Sequence, residues 1–372
     1  MPDSTVVIAG AFEGPSGITG TSAFELFVQG AAGAMRDAGV SGSEVDGLLT
    51  SYSWEEPRLM PSDFLAEYLG AAPVYTETVT LGGAGPLGML GRAERAIRSG
   101  LCETVVLASA SNRASGLGKE AAIDSLREVA HPLYEAPFGA FVPALYALFA
   151  QRHAHLFGDA ERSMAAIAAS QRGYAALKPG AARQEPLSIE DAIASKMISE
   201  PLRITDCCLL TDFSAGLVVT TEARARERGE RYVSVLGYGE ARDFDNVSQS
   251  AALEPTSMAA AGALAFARAG VAPEEVDFAE LYDCFTITVL LTLQSLGLCG
   301  RGEAPPLERL PVNTNGGMLS FATGGMYHLT EAVSQLRGEA GARQVADARV
   351  GVVTGVGGVF SANCAAVLGA AR

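Results

Sequence analysis

The sequence predicts an α/β protein built from two duplicated halves, each a mixed sheet with helices on both faces. Two observations predict the duplication. Residues 38–46 and 269–277 share six of nine residues, and each copy joins a helix to a strand. A glycine-rich turn, a helix and a strand then follow each copy in the same order, first from Gly82 and again from Gly316. A repeated order of elements around a repeated segment indicates a gene duplication.

Apolar runs and helical spacing predict the elements of the first half. Gly39 and Gly70 follow the first two helices, where a residue in the left-handed conformation ends a helix. Pro86 suits the first turn of the third helix, because its missing N–H has no partner there. The predicted strands are 6–9, 45–50, 74–81 and 104–109. The predicted helices are 21–38, 63–69 and 86–98.

The stretch from about 111 to 202 differs from the sequence around it. It carries several prolines and three of the four histidines, and its spacing predicts helices at 144–154 and 160–177. We interpret it as a helical insertion that covers the sheet. Strand character returns at 217–221, 232–237 and 350–354, with a helix at 325–336. The predicted domains are therefore 1–225, which includes the insertion, and 226–372.

Composition excludes several functional classes. The net charge of −15 disfavours nucleic-acid binding, since a phosphate backbone repels an acidic chain. No apolar run approaches the roughly 18 residues that a membrane span needs. The first ten residues lack a basic region, which predicts no signal peptide. Six cysteines without a C-x-x-C spacing, and only four histidines, predict neither disulfides nor a metal site. We expect a cytoplasmic protein.

Several segments resemble the thiolase superfamily, and within it the branch of lipid-transfer-protein-like thiolases. The similarity runs along essentially the whole chain in the same order. The segments that carry it are residues 83–100, PLRITDCC at 201–208, ELYDCF at 280–285, NGGMLS at 315–320 and 331–338. The resemblance implies a thiolase-like fold, with the two halves in a layered αβαβα arrangement and a helical loop insertion.

The chemical groups of a thiolase are missing at three positions of this chain. Thiolases carry a nucleophilic cysteine at the turn before the first-half helix, and here that position falls near Gly83. The Gly-His-Pro histidine is absent from the run 320–325, and Thr354 or Gly355 stands where a second cysteine is expected. Since the thiolate is the nucleophile of such enzymes, covalent acyl-enzyme chemistry is expected to be lost.

A fourth position points to a different reaction. Where related thiolases have His-Asp-Cys-Phe, this chain has Tyr282 followed by Asp283, Cys284 and Phe285. Tyrosine at this place resembles the thiolase-fold aldolases of steroid side-chain degradation. The resemblance implies retro-aldol cleavage of a β-hydroxyacyl-CoA thioester beside a smaller partner subunit with a zinc ribbon and an OB-fold. It implies a homodimer as well.

The resemblance carries Tyr282 over as a catalytic acid or base, and Tyr327 as a second candidate beyond a loop that is shorter here. A retro-aldol reaction requires no covalent nucleophile, metal or cofactor, and coenzyme A enters only as part of the substrate. A tyrosine base needs a lowered pKa or a relay, for which His328 and Glu331 are candidates. Strand alternation turns Asp283 to the opposite face, as a structural acceptor.

Backbone N–H groups at glycine turns are the predicted stabilisers of the enolate. The predicted oxyanion and substrate-binding residues are Gly83, Gly85, Gly357 and Gly358. Cys284 and the pair Cys207–Cys208 are interpreted as core residues. Two alternatives stay open: thiolase-like acyl transfer on acyl-CoA, and a non-catalytic subunit that binds an acyl chain or lipid.

Overall fold

The computed structural model describes residues 5–117, 121, 129–139, 141–229 and 231–371. Within them the chain forms eleven strands and twelve helices, besides short 3-10 turns. The strands are β1 (Val6–Glu13), β2 (Gly47–Ser51), β3 (Tyr75–Val79), β4 (Thr104–Ser111), β5 (Met197–Ser199), β6 (Leu202–Arg203), β7 (Phe213–Thr221), β8 (Val233–Arg242), β9 (Phe278–Glu280), β10 (Val350–Gly357) and β11 (Ala362–Ala370).

The helices follow the predicted order. They are α1 (Ala23–Asp37), α2 (Pro61–Leu69), α3 (Gly85–Arg98), α4 (Arg113–Gly116), α5 (Val142–Phe157), α6 (Glu161–Leu177), α7 (Ile189–Ala194), α8 (Glu222–Glu227), α9 (Met258–Ala269), α10 (Thr286–Ser295), α11 (Gly317–Ser320) and α12 (Met326–Arg337). None of these described helices is both long and apolar enough to cross a bilayer.

Nine of the strands form one mixed sheet in the order β3-β2-β4-β7-β1-β8-β11-β10-β9. The two halves of this order repeat each other about the pair β1–β8. In the first half β2 and β4 are parallel and β4 and β7 antiparallel, and in the second half β9 and β10 are parallel and β10 and β11 antiparallel. The strand equivalent to β3 is reduced to one bridge, between Ala279 and Val312. The topology therefore confirms the predicted pair of mixed-sheet halves.

Three hydrophobic cores separate the layers. The first lies between the outer helices α1 and α2 and the first half of the sheet. The second holds α3 and α12 together with strands of both halves, so these two helices form the central layer. The third joins α9 and α10 to the insertion helices α5 and α6 and to the second half of the sheet. Helices and sheet halves therefore alternate through the protein, as the predicted αβαβα arrangement requires.

The repeated nine-residue segment has the same hydrogen bonds in both copies. Asp46 accepts the backbone N–H groups of Glu103 and Thr104, both at 2.8 Å. Asp277 accepts those of Arg349 and Val350, at 2.7 and 2.9 Å. In each half the carboxylate fixes the start of a neighbouring strand, β4 in the first half and β10 in the second. This shared role explains why the aspartate recurs in the repeat.

The insertion is built from α5 and α6, at the two places where helices are predicted. Residues 118–120, 122–128 and 140 of this stretch lie outside the described residues. The chain also forms the hairpin of β5 and β6 before it re-enters the sheet. The predicted domain boundary after residue 225 falls within α8, which begins at the Thr221 cap.

Helix α10 has no helical periodicity that would predict it. Its sequence TITVLLTLQS mixes apolar residues and threonines on every side, and nine of its ten residues are buried. A helix enclosed all round by protein shows no polar face, so its hydrophobic pattern is the same as that of a buried strand. Because α10 directly follows the YDCF segment, its position fixes the strand end that carries Tyr282.

We expect Asp46→Ala and Asp277→Ala each to lower the free energy of unfolding by about 1–3 kcal/mol, because each variant leaves two backbone N–H groups without their acceptor. Urea denaturation measures the change. The control is Glu274→Ala, an exposed position within the second copy, where a change below about 0.5 kcal/mol is expected. Equal changes in all three variants would contradict the role of the repeated aspartates.

Candidate active site

Two glycine turns, one from each half, meet at the centre of the molecule. The first precedes α3, and Gly82 there adopts a left-handed φ of +53° that favours glycine. The second follows β10, where Gly358 has a φ of +60°. A Cβ added at Gly82 would lie 3.3 Å from the backbone nitrogen of Gly358. Gly83 lies in the first turn and Gly357 at the second, so the contact between the turns brings these two predicted binding glycines to the same place.

The ring of Tyr282 lies directly against the bare Cα of Gly83. A Cβ added at Gly83 would overlap Cζ and the hydroxyl oxygen of Tyr282. Gly325, just before α12, lies beside the same ring, because a Cβ added there would be 3.5 Å from Cε2 of Tyr282. The phenol consequently occupies the place that a side chain at residue 83 would fill. A cysteine at residue 83 and a tyrosine at residue 282 exclude each other in this arrangement.

The backbone of Tyr282 is fixed from the neighbouring strand. Its N–H donates to the hydroxyl of Thr354 at 3.1 Å. Thr354 stands on β10, where one thiolase cysteine is expected, and is completely buried. At the next position, Gly355, a Cβ would lie 3.0 Å from the Cα of Ala84. Of the two positions that could hold a second thiol, Thr354 thus accepts a hydrogen bond from Tyr282, and Gly355 lies too close to the backbone of Ala84 for a larger side chain.

The phenol of Tyr282 is neutral at physiological pH. Removal of solvent by the surrounding protein raises its pKa well above the ordinary value near 10, and the thiols of Cys284 and Cys208 add to the rise. The guanidinium of Arg113 opposes the rise without cancelling it. The condition that we set for a tyrosine base, a lowered pKa, is not met. The group is suited to donate a proton or a hydrogen bond.

Asp283 faces away from the glycine turns, as strand alternation predicts. Its carboxylate accepts the N–H groups of Met318 and Leu319, at 3.0 and 3.2 Å, at the start of α11. Gly317 leaves the space for it, because a Cβ there would overlap Oδ2 of Asp283. The NGGMLS segment therefore wraps the carboxylate that follows Tyr282.

His328 lies beneath Tyr282 and is almost fully buried. Its Nε2 is 3.1 Å from Oδ1 of Asp283, and its Nδ1 is 3.7 Å from Oε2 of Glu280. Burial alone would lower the pKa of the imidazole, but the two carboxylates raise it to about 9. Its ring contacts that of Tyr282 edge-on, with centroids 6.4 Å apart. With this raised pKa, His328 is a cation at neutral pH that lies between two carboxylates. No hydrogen bond among the described residues joins it to the Tyr282 hydroxyl, so the predicted relay through His328 is not supported.

Glu331, the other predicted relay residue, belongs to a deeper network. It accepts the hydroxyl of Thr314 at 2.9 Å and pairs with Arg343 at 3.0 Å. Glu280 accepts the backbone N–H of Thr314 at 2.9 Å, and it lies 2.8 Å from the same Thr314 hydroxyl. The prediction that Glu331 relays a proton to Tyr282 is not supported, because the Thr314 hydroxyl and Glu280 stand between them.

Tyr327 is separated from Tyr282. Its hydroxyl is 3.3 Å from the carbonyl oxygens of Gly14 and Pro15, and it accepts the N–H of Ser214 at 3.3 Å. Its ring packs against Phe213 and Phe321 in the central core. Neighbouring residues on a helix point about 100° apart, so the His328 side chain reaches the strand end while that of Tyr327 points elsewhere. The role predicted for Tyr327 as a second acid or base has no support in these contacts.

Two residues of the site have no sequence signal of their own. Arg113 is the first residue of α4, just after β4. Its Nε bonds Glu55 at 2.8 Å, and its charge acts on Tyr282. Thr354 holds the Tyr282 N–H. Both lie far from Tyr282 along the chain. The neighbouring strands β9 and β10 bring Thr354 to it, and the packing of the two halves brings Arg113. The absence of a thiol at 354 was visible, but not the hydrogen bond that replaces it.

The cysteines of the YDCF and DCC segments pack beside Tyr282. Cys284 is buried, with its sulfur 3.5 Å from the hydroxyl of Thr288, and its carbonyl accepts the N–H of Cys208 at 3.0 Å. Burial raises the pKa of Cys284 to about 12, so it is a thiol at neutral pH. In the described part of the chain, no three His, Cys, Asp or Glu side chains are placed to hold a metal ion.

Fold and site together define a thiolase-type scaffold without the thiolase nucleophile. Residues 239–370 match the family described as thiolase C-terminal domain-like. The chain is 32% identical to the 17-hydroxy-3-oxo-4-pregnene-20-carboxyl-CoA lyase of Mycobacterium tuberculosis, over 86% of this chain and 88% of that protein. It is also 32% identical to a steroid side-chain-cleaving aldolase of Thermomonospora curvata, over 86% and 87%.

A solved structure described as an Ltp2–ChsH2(DUF35) aldolase superposes with a TM-score of 0.87 at 30% identity, covering 99% of this chain and 98% of the other. The chain belongs to the thiolase superfamily, in the lipid-transfer-protein-like branch that contains these lyases. The fold and family predicted from the sequence are confirmed.

We expect the stability advantage of the wild type over His328→Gln to depend on pH. The pKa of His328 is raised from 6.5 to about 9 on folding. Its contribution is therefore complete below pH 6.5 and is lost as the pH rises through about 9, by at most about 1.4 kcal/mol per pH unit. Denaturant unfolding of both proteins from pH 6 to pH 9.5 measures it. A difference that stays constant over this range would show that His328 is not charged.

We expect Gly83→Ala to lower the free energy of unfolding by about 1–3 kcal/mol, because the added methyl group displaces the Tyr282 ring. In a Tyr282→Ala background the same change should cost about 0.5 kcal/mol or less, and the double-mutant cycle isolates the contact. Gly173→Ala, in open space on α6, is the control and should not destabilise the protein. A cost at residue 83 that does not depend on Tyr282 would refute the contact.

Proposed function

We propose that this protein is a carbon–carbon lyase that cleaves a β-hydroxyacyl-CoA thioester by a retro-aldol reaction. The observation that carries the proposal is the seating of the Tyr282 phenol on the bare Cα of Gly83, where a thiolase would hold its nucleophile. Both 32%-identical relatives are named for lyase or aldolase activity, which supports the same reaction class. Their names support a substrate with a steroid or similarly bulky acyl group.

The reaction moves no net proton. The β-hydroxyl loses its proton as its carbon becomes a carbonyl, and the electrons of the Cα–Cβ bond pass to the thioester as an enolate. A proton then returns to Cα. In this proposal a water molecule in the open site accepts the hydroxyl proton in the first step. The neutral Tyr282 phenol then protonates Cα, and the proton held by the water returns to the phenolate. In our proposal Tyr282 is therefore the acid of the second step, not a preformed phenolate.

The developing enolate needs hydrogen-bond donors. The turn at Gly82–Gly85 places the start of α3 beside the Tyr282 phenol. The Ala84 N–H is taken up by the carbonyl of Leu81 and Pro86 has none, so the donors that we propose in this turn are Gly82 and Gly83. The Gly357–Gly358 turn lies against the first turn at backbone distance. We propose that N–H groups of these turns bind the thioester oxygen as it becomes negative. The prediction that Gly85 supplies an N–H to the substrate is not supported, because this N–H donates to the carbonyl oxygen of Gly82.

Acyl transfer of the thiolase kind is disfavoured at this site. It needs a thiolate at the helix N-terminus, and Tyr282 occupies the corresponding space. The thiol nearest the phenol in sequence, Cys284, is buried and has a raised pKa. Its sulfur is therefore protonated and poorly nucleophilic.

We further propose that the active species contains two copies of this chain and a smaller subunit with a zinc ribbon and an OB-fold. Strand β3 ends the described sheet and pairs only with β2, which leaves an edge for a second copy. The name of the Ltp2–ChsH2(DUF35) aldolase joins two components, in keeping with a partner subunit. The acidic chain has few cations near its glycine turns, so the partner is proposed to contact the CoA phosphates.

The experiment is a cleavage assay on a panel of β-hydroxyacyl-CoA esters, steroid side-chain esters included, with products identified by mass spectrometry. The wild type is assayed alone and together with any zinc-ribbon/OB-fold protein that a neighbouring gene encodes. We expect Tyr282→Phe to lower kcat by about 10²-fold or more, because the proton donor is removed while the ring remains. KM should change little.

The matched control is Tyr232→Phe, a buried tyrosine whose hydroxyl bonds Glu222 at 2.7 Å near the protein surface. Its kcat is expected to equal that of the wild type. Undiminished cleavage by Tyr282→Phe would remove Tyr282 from the mechanism. Thiolysis of a 3-oxoacyl-CoA by free CoA would establish acyl transfer instead, and binding without turnover of any ester would establish a non-catalytic subunit.

A further inference from the structure

Besides Tyr282, a second tyrosine contacts the glycine turns: Tyr146, which belongs to the insertion. It stands on α5 and is almost completely buried. Its hydroxyl donates to the carbonyl oxygen of Gly358 at 3.0 Å. The catalytic steps proposed above do not use this residue, and the sequence gives no reason to single out one tyrosine of an apolar helix. Only the fold brings residue 146 to residue 358.

The ring and the hydroxyl of Tyr146 have separate surroundings. The ring packs on Phe285, three residues beyond Tyr282, with centroids 4.6 Å apart, and on Phe360 at 5.6 Å. The apolar core therefore accounts for the ring without the hydroxyl. The hydroxyl donates to the Gly358 carbonyl, and the Cys284 thiol also lies beside it, so its strong hydrogen bond acts on that turn.

The turn that receives this hydrogen bond has an intrinsically soft backbone. Gly355, Gly357 and Gly358 lie within four residues, and glycine has the widest backbone freedom of any residue. The Gly357 carbonyl is held by the N–H of Ser361 at 3.0 Å. The Gly358 carbonyl is held by Tyr146. Each carbonyl shares a rigid peptide plane with the N–H of the following residue, so these two bonds set the directions of the Gly358 and Val359 N–H groups.

Resting on the lyase function proposed above, we propose that Tyr146 is a positioning residue that orients the Gly357–Gly358 turn for enolate binding. The hydroxyl does this by donating to the Gly358 carbonyl, which ties the helical insertion to the site. Proton transfer remains with Tyr282. The insertion thereby does more than cover the sheet, because one of its side chains fixes half of the proposed oxyanion site.

The test compares Tyr146→Phe with Tyr238→Phe. Tyr238 is an equally buried tyrosine whose hydroxyl bonds Glu240 at 2.8 Å, away from both glycine turns. Each variant loses one buried hydroxyl and keeps its ring, so both are expected to fold with similar melting temperatures. We expect kcat to fall about 10- to 100-fold in Tyr146→Phe, with KM changed less than about threefold. The kcat of Tyr238→Phe should remain that of the wild type.

A second measurement needs no turnover. Backbone amide hydrogen exchange over residues 355–361 should become faster in Tyr146→Phe and stay unchanged in Tyr238→Phe. An unchanged kcat in Tyr146→Phe, or an equal loss of kcat in both variants, would overturn the proposal. If the wild type itself cleaves no hydroxyacyl-CoA, the lyase function fails separately. Unchanged exchange in Tyr146→Phe would then overturn the hydrogen-bonded tether as well.

Discussion

The contact between the Tyr282 ring and the Cα of Gly83 is the constraint on which the rest of the site depends. It joins the end of β9 in the second half to the start of α3 in the first. The ring fits only because residue 83 has no side chain, and a side chain at 83 would fit only without the ring. The missing cysteine and the new tyrosine are thus one structural change. A cysteine restored at 83 alone would meet the phenol instead of a substrate.

The support beneath this contact is ionic and buried. His328 lies between Asp283 and Glu280, and Thr314 links Glu280 to Glu331 and Arg343. Burial raises the pKa of Glu280, because its charged form loses the hydration that water would give it. Removing one member of such a network leaves a buried charge without its partner, which is strongly destabilising. The network therefore fixes the position of Tyr282 while its groups stay out of the proposed proton transfer.

The fold was predictable because its signals are local or repeated. In the repeated AGV-x3-EVD segment, Asp46 and Asp277 each accept backbone N–H groups at the start of a neighbouring strand, and this shared role explains the repeat. The long-range parts of the site were not predictable. Tyr327 and His328 are adjacent in sequence, yet only the second contacts the Tyr282 ring. The hydrogen bond from Tyr146 to Gly358 spans 212 positions, and no spacing rule reaches that far.

The exchange of cysteine for tyrosine leaves most of the chemistry intact. Thiolytic cleavage of a 3-oxoacyl thioester and aldol cleavage of a 3-hydroxyacyl thioester both break the Cα–Cβ bond, and both leave a thioester enolate. The two reactions differ in what happens at Cβ, where a thiolate must attack a ketone in one and a hydroxyl must lose its proton in the other. Donors that stabilise the enolate serve both. In the proposed reaction the two glycine turns would therefore keep their role, while the thiolate that attacks Cβ in a thiolase has no counterpart at residue 83 and Tyr282 acts on Cα instead.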